Sequence, residues 1–157
     1  MRPGEGDVVG TRGTVVSVCV SPERGQLKRP VEEAELVAGF GLAGDGHGGD
    51  WERQVSLLAL ESIERAARER GVQVGPGDFA ENLTTRGIDI ADLPVGTRLK
   101  VGEQAVLQVT QIGKEDHESV VTRTLGFSLI PREGAFARVL VGGPVRPGDT
   151  VEVLEDE

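Results

Sequence analysis

GDGHGGDWERQ, residues 44–54, is the stretch around which the chain is organised. It holds four of the 23 glycines, one of the two histidines and the only tryptophan. Glycine reaches positive φ and lets the main chain approach a ligand closely, and here the glycines alternate with acids, a histidine and an arginine. Glycines alone would indicate a surface loop. This mixture instead indicates one wall of a binding site, with Gly46, His47 and Arg53 as candidate residues.

Composition narrows the classes of function. The chain has 157 residues, enough for one domain, and a net charge of −9, which argues against non-specific binding of nucleic acid or anionic membrane. A small anionic ligand held by local cations is compatible with that charge. The single Cys19 excludes an internal disulfide and a multi-cysteine metal site. The polar start and the lack of a run of about 18 apolar residues predict a cytoplasmic protein without a membrane span.

Alternating apolar residues predict most of the secondary structure as strands. The predicted strands lie at 14–20, which is rich in β-branched residues, and at 34–38, 97–101, 105–112 and 136–141. Pro-Gly or Pro-x-Gly turns precede several of them. This pattern predicts a curled, mostly antiparallel sheet rather than βαβ layers, with a few short helices.

Two helices are predicted. The first begins after Gln54 with Ser56 as its N-cap and ends at Gly71. Its apolar face would hold Leu57, Leu60, Ile63 and Ala67. A second, short helix covers 119–125 and stops at Gly126.

Several familiar motifs are weak or missing. Residues 39–44 match G-x-G-x-x-G, but the glycine-rich sequence after them does not open the helix that a dinucleotide site needs. The chain has no G-x-S-x-G elbow and no phosphate loop. His47, Asp116 and His117 could supply the three protein ligands that a zinc hydrolase needs, yet not at the short helical spacing that zinc sites commonly use. A phosphate-bearing or oxyanionic small molecule fits best, since glycine N–H groups and arginine both suit it.

Two further segments carry chemistry. In 79–85, Asn82 either makes local backbone hydrogen bonds or recognises a planar heterocycle through its amide. The segment GKEDHE at 113–118 is the densest in charge. The side chains that would converge at the mouth of a barrel are His47, Arg53, Lys114, Asp116, His117 and Arg132.

Five blocks of this sequence, in order, resemble the MOSC domain, the C-terminal domain of molybdenum cofactor sulfurases that is found also as small stand-alone bacterial proteins. The blocks are residues 44–58, 76–84, 93–97, 111–115 and 131–140. The resemblance is taken to extend over about residues 10–154, so a single domain is expected over 1–157 with its core in that range. The resemblance implies a mainly β fold, a closed or nearly closed β-barrel with a few short helices.

The resemblance also implies a function, the binding of the molybdenum cofactor (molybdopterin) or the handling of sulfur for it. Arg53, Lys114 and Arg132 would then pair with phosphate or oxo groups, while Asn82 and Thr84 would contact the pterin. In the sulfurases this domain is joined to a pyridoxal-phosphate-dependent cysteine desulfurase, which this chain does not contain. A cysteine desulfurase or a molybdoenzyme is therefore an expected partner.

One departure from the family affects the chemistry. A cysteine commonly follows the Lys-Glu pair in the family, but here Asp116 stands there, followed by His117. A carboxylate cannot carry a persulfide and is a harder metal ligand than a thiolate. Asp116 is then expected to approach the metal through oxygen.

Three functions remain open from the sequence. The first is a cofactor-binding domain. The second is an enzyme or sulfur-transfer partner, acting on a molybdenum-pterin or N-hydroxylated substrate, with His47 or His117 as acid or base. The third is a degenerate domain that serves only as an interaction module.

Overall fold

Strands dominate the part of the chain that the computed structural model describes, residues 11–115 and 118–155. In chain order the strands are β1 (Arg12–Val20), β2 (Arg29–Val31), β3 (Ala34–Val37), β4 (Gly41–Leu42), β5 (Val55–Ala59), β6 (Leu83–Arg86), β7 (Arg98–Val101), β8 (Ala105–Ile112), β9 (Ala135–Val141), β10 (Gly143–Val145) and β11 (Thr150–Leu154). The helices are α1 (Leu60–Arg70), α2 (Val120–Leu125) and α3 (Ile130–Glu133), with a 3₁₀ turn at Ile90–Asp92.

Seven of these strands close into a barrel. Their order is β11–β7–β8–β9–β5–β6–β1, and pairing of β1 with β11 completes the ring. Neighbouring strands are antiparallel except β5 and β6, which are parallel and joined through α1. β2 extends the sheet from β1, while β3, β4 and β10 form a smaller sheet. The predicted mainly β fold, a closed barrel with a few short helices, is confirmed.

The predicted start of the first helix is wrong. Residues 55–59 form strand β5, and α1 begins only at Leu60. Strand β5 is buried on both faces: Leu57 belongs to the core inside the barrel, and Leu58 to a second apolar cluster beneath the helices. A strand covered on both faces carries a continuous apolar run, which periodicity alone does not distinguish from a buried helix. Gly71 ends α1 in the left-handed region, as predicted.

Other elements match their sequence signals closely. β8 covers the predicted 105–112. α2 starts after Ser119, whose hydroxyl accepts a hydrogen bond from the Thr122 N–H. The Thr122 hydroxyl accepts one from the Ser119 N–H, and the two bonds form a capping box. Gly126 ends α2 with φ 87°. None of the helices in the described ranges has the length and apolar character needed to cross a membrane.

Candidate functional site

A cavity of about 310 Å³ opens between the glycine-rich segment and the helices α2 and α3. Its lining combines apolar side chains with polar and charged ones. The apolar residues include Phe79, Val121, Ile130, Pro131 and Phe136, and the polar ones include His47, Arg53, Ser56, Asn82, Lys114, Ser119, Arg123 and Ser128. Apolar lining combined with a small number of placed polar groups is the usual form of a small-molecule site.

Arg53 and Lys114 come close together in this cavity, whose lining also carries a separate ion pair, Arg123 with Glu118 at 3.8 Å. The Nε of Arg53 donates to Gln111 at 3.2 Å, and its guanidinium lies over the Phe136 ring at 5.2 Å. Burial and the neighbouring Arg53 charge lower the pKa of Lys114. Glu115, at 4.0 Å from Arg53, has a side chain that is 81% exposed and therefore screened. The cavity thus favours a bound anion.

Glycine at position 113 lets the chain carry Lys114 into the cavity. Gly113 has φ 69°, and a Cβ there would lie 2.4 Å from the carbonyl oxygen of Pro131. Its N–H donates to Gly134 and the Lys114 N–H to Pro131, which ties this segment to α3. A side chain at residue 113 would break that close approach.

His47 enters the cavity from a buried polar cluster. The ammonium of Lys28, fully buried, lies 2.7 Å from Asp45 Oδ1 and 3.1 Å from His47 Nδ1. Burial and the Lys28 charge lower the pKa of His47 to about 4, so the imidazole is neutral at pH 7. Burial acts to raise the pKa of Asp45, but hydrogen bonds from Lys28 and Ser21 outweigh it and lower that pKa.

Asn82 connects two strands at the cavity wall. Its Oδ1 accepts from the N–H and the hydroxyl of Ser56, at 2.9 and 3.2 Å, and its Nδ2 donates to the carbonyl of Cys19 at 3.1 Å. The sequence left open whether this amide bonds to the backbone or to a ligand. The structure gives it both backbone partners and a position on the cavity lining.

A second buried group holds the loop before β6. The Glu81 carboxylate accepts from the N–H groups of Gly77 and Phe79 and from the Thr84 hydroxyl. Burial raises the pKa of Glu81, against these hydrogen bonds. The loop also places Ala80 on the cavity lining at φ 61°, a conformation that is uncommon outside glycine.

The structure brings only some of the predicted site residues together. His47, Arg53, Asn82 and Lys114 line the cavity. Three predicted contacts with the cofactor lie elsewhere in the structure. Thr84 is fully buried against Glu81, Arg132 is exposed on α3, and Gly46 packs where a Cβ would lie 2.5 Å from Glu23.

The predicted catalytic and metal-binding roles of Asp116 and His117 lie outside the described residues. Within 11–115 and 118–155, the structure contains no cluster of three or more His, Cys, Asp or Glu side chains suited to a metal ion. Cys19 is buried, hydrogen-bonded to Ser17 and absent from the cavity lining; burial raises the pKa of its thiol.

Contributors to the site that sequence reasoning missed include Lys28 and Ser119. Lys28 stood in a turn-rich segment and carried no sign of burial, because its partner Asp45 lies 17 residues further along the chain. Ser119 lines the cavity from the first turn of α2. Its Ser-x-x-Thr spacing to Thr122 is a capping signal that was available in the sequence.

A family model for the MOSC domain matches residues 43–152, which include the glycine-rich segment, the Lys114 segment and α3. The chain belongs to the MOSC domain family. MOSC domains are generally associated with molybdenum cofactor binding or sulfurase-related function. A sequence search of curated proteins gave no match.

Solved structures share the MOSC barrel. The YuaD protein from Bacillus subtilis is 18% identical, with a TM-score of 0.73 over 93% of this chain and 97% of that one. YiiM from Geobacillus stearothermophilus is 21% identical, with a TM-score of 0.72 over 91% and 75% of the two chains. YiiM from Escherichia coli is 25% identical, with a TM-score of 0.69 over 93% and 71%.

Proposed function

We propose that this MOSC protein binds the molybdenum cofactor, or the pterin part of it, in the cavity beside Arg53 and Lys114. The observation that carries the proposal is the pair of neighbouring cations, Arg53 and Lys114, in a cavity that also has apolar lining residues. Burial and Arg53 both lower the pKa of Lys114, and a bound phosphate or oxo group would relieve that repulsion. The arginine fork suits the same groups.

The donor set fits the anionic and aromatic parts of such a ligand. Arg53 and Lys114 would hold its phosphate or oxo groups, and Phe136 would pack against its ring system. Bound in this way, the cofactor supplies redox or sulfur-transfer chemistry, and the chain itself contributes binding and orientation.

The chain's own sulfur does not take part in this proposal. Cys19 is the only cysteine, is fully buried and has a raised pKa, whereas a sulfur carrier needs an accessible thiolate. Sulfur would therefore arrive on the ligand or from a partner. A cysteine desulfurase or a molybdoenzyme remains the proposed partner.

The experiment measures the cofactor on purified protein. Wild type, Arg53→Leu/Lys114→Met and the control Arg132→Leu are purified from molybdate-replete cells. Molybdenum is measured by elemental analysis, and pterin by fluorescence after oxidation. Wild type and the control are expected to carry both, since Arg132 lies outside the cavity lining. The double variant is expected to carry at least about tenfold less molybdenum and pterin, because the loss of one charged hydrogen bond weakens binding by about that factor.

Two results would refute the proposal. One is wild-type protein that carries neither molybdenum nor pterin and takes up neither when they are offered. The other is a folded double variant, checked by circular dichroism, that carries as much cofactor as wild type.

A further inference from the structure

In the cluster of Lys28, Asp45 and His47, the lysine ammonium lies between the carboxylate and the imidazole and contacts both. The ammonium of Lys28 contacts Asp45 Oδ1 at 2.7 Å, His47 Nδ1 at 3.1 Å and the Ser21 hydroxyl at 3.3 Å. A lysine ammonium has three N–H donors and no acceptor. Each of its three partners must therefore accept, the imidazole nitrogen included.

This order fixes the tautomer of His47. When Nδ1 accepts from Lys28, a neutral ring carries its proton on Nε2. Asp45 does not compete for Nδ1, because Oδ2 is 3.9 Å away and accepts instead from the His47 backbone N–H at 3.1 Å. A carboxylate bonded to Nδ1–H leaves Nε2 as a proton acceptor, as in acid–base histidines. Here Lys28 lies between Asp45 and His47, so Nδ1 is the acceptor and Nε2 carries the proton.

The ring presents its other edge to the cavity. His47 lines the cavity, whereas Lys28 does not and is fully buried behind it. Nδ1 faces Lys28, so Nε2 is the nitrogen at the cavity edge. The groups that act on the ring electrostatically are the cations Lys28, Arg24 and Lys114 and one carboxylate, Asp45.

We infer that Lys28 is a positioning residue that holds His47 as a neutral Nε2–H donor to the anionic group of the ligand beside Lys114. The identity of that ligand rests on the proposed function. This role differs from the acid–base role predicted from the sequence. A buried cation beside His47 opposes protonation of the ring. The Lys28 ammonium therefore suits a neutral donor better than a proton acceptor.

The tautomer is read directly from long-range ¹H–¹⁵N NMR spectra of the ligand-free protein. The chain has only two histidines, so His47→Gln assigns the signals. Wild type is expected to show the Nε2–H tautomer at neutral pH and to titrate near pH 4. Lys28→Met is expected to give mixed tautomers and a pKa raised above that of wild type, since the Lys28 charge is lost and Asp45 then faces the ring without its cation, while burial still acts to lower the pKa. Ser21→Ala, a matched change that keeps the Lys28–His47 bond, is expected to retain the wild-type spectrum.

Binding is tested with molybdate as the probe anion. Its addition is expected to shift the His47 Nε2 signal, and Lys28→Met is expected to weaken binding about tenfold. Molybdate that shifts the Lys114 signals but not Nε2 would overturn the donor role. If no molybdate binds, the donor role of His47 toward an oxyanion fails; the cofactor content of the purified protein decides the proposed function separately, and the tautomer still decides the assignment of His47.

Two tautomer results would overturn the inference. One is an Nδ1–H or a doubly protonated ring in wild type at neutral pH. The other is a Lys28→Met variant with an unchanged tautomer and pKa. The wild-type spectrum decides the question by itself if Lys28→Met does not fold.

Discussion

Replacing Asn82 by alanine removes the side chain that connects β1 and β5 across the loop before β6. The Ser56 N–H and hydroxyl lose their acceptor Oδ1, and the Cys19 carbonyl loses its donor Nδ2. Asn82 is almost wholly buried. Alanine can replace none of the three bonds, so we expect the free energy of unfolding to fall.

The magnitude follows from the three bonds lost. A typical intramolecular hydrogen bond contributes about 1 kcal/mol net, so the sum is about 3 kcal/mol. In a protein of this size 1 kcal/mol corresponds to roughly 2–4 °C in Tm, which predicts a decrease of roughly 6–12 °C. Water that enters from the cavity and hydrogen-bonds to Ser56 would keep the decrease in Tm near the lower end of this range.

Urea unfolding followed by circular dichroism measures the change, with equal m-values required for the comparison. The matched control is Ser128→Ala, another polar residue of the cavity lining. The Ser128 hydroxyl accepts a single long bond from the Ile130 N–H, at 3.3 Å, and its loss is expected to cost less than about 1 kcal/mol. A decrease below about 1 kcal/mol for Asn82→Ala would show that the amide does not hold these strands together, and the reasoning would fail.

Three more predictions concern the loops that hold the site. Glu81→Gln places an amide N–H against a backbone N–H, so thermal unfolding is expected to show a loss of about 1–3 kcal/mol. Gly113→Ala puts a Cβ against the Pro131 carbonyl, and molybdate titration is expected to show binding weakened at least about tenfold, because Lys114 is displaced. Anion affinity is expected to fall as pH rises through the lowered pKa of Lys114, which loses its charge there; Lys114→Arg should abolish that dependence, since arginine stays charged.

The barrel was predictable wherever one face of a strand is buried. β8 alternates between buried and half-buried residues from Ala105 to Thr110, and this alternation is visible in the sequence. β5 was not predictable, because Leu57 and Leu58 face two different apolar clusters. The one parallel pair, β5 with β6, follows from the same burial on both faces.

The cationic side chains of the site could be predicted from the sequence, but the buried residues around the site could not. Arg53 and Lys114 lie within motif-like segments, and both line the cavity. Thr84 belongs to such a segment too, yet its side chain is fully buried and its hydroxyl donates to Glu81 instead of reaching the cavity. No pattern in the sequence around Lys28 predicts that its side chain is buried. Its position depends on a contact with Asp45 that exists only once the chain is folded.

Closure of the barrel has a mechanical consequence. β1 and β11 are antiparallel, with Arg12 opposite Glu152 and Thr14 opposite Thr150. Force applied to Arg12 and Leu154 would therefore load the hydrogen bonds of this pair one after another, as in a zipper, rather than all at once in shear. The seam that completes the ring is then the first to open under tension, and the cavity residues on β5 and the helices are loaded only after it.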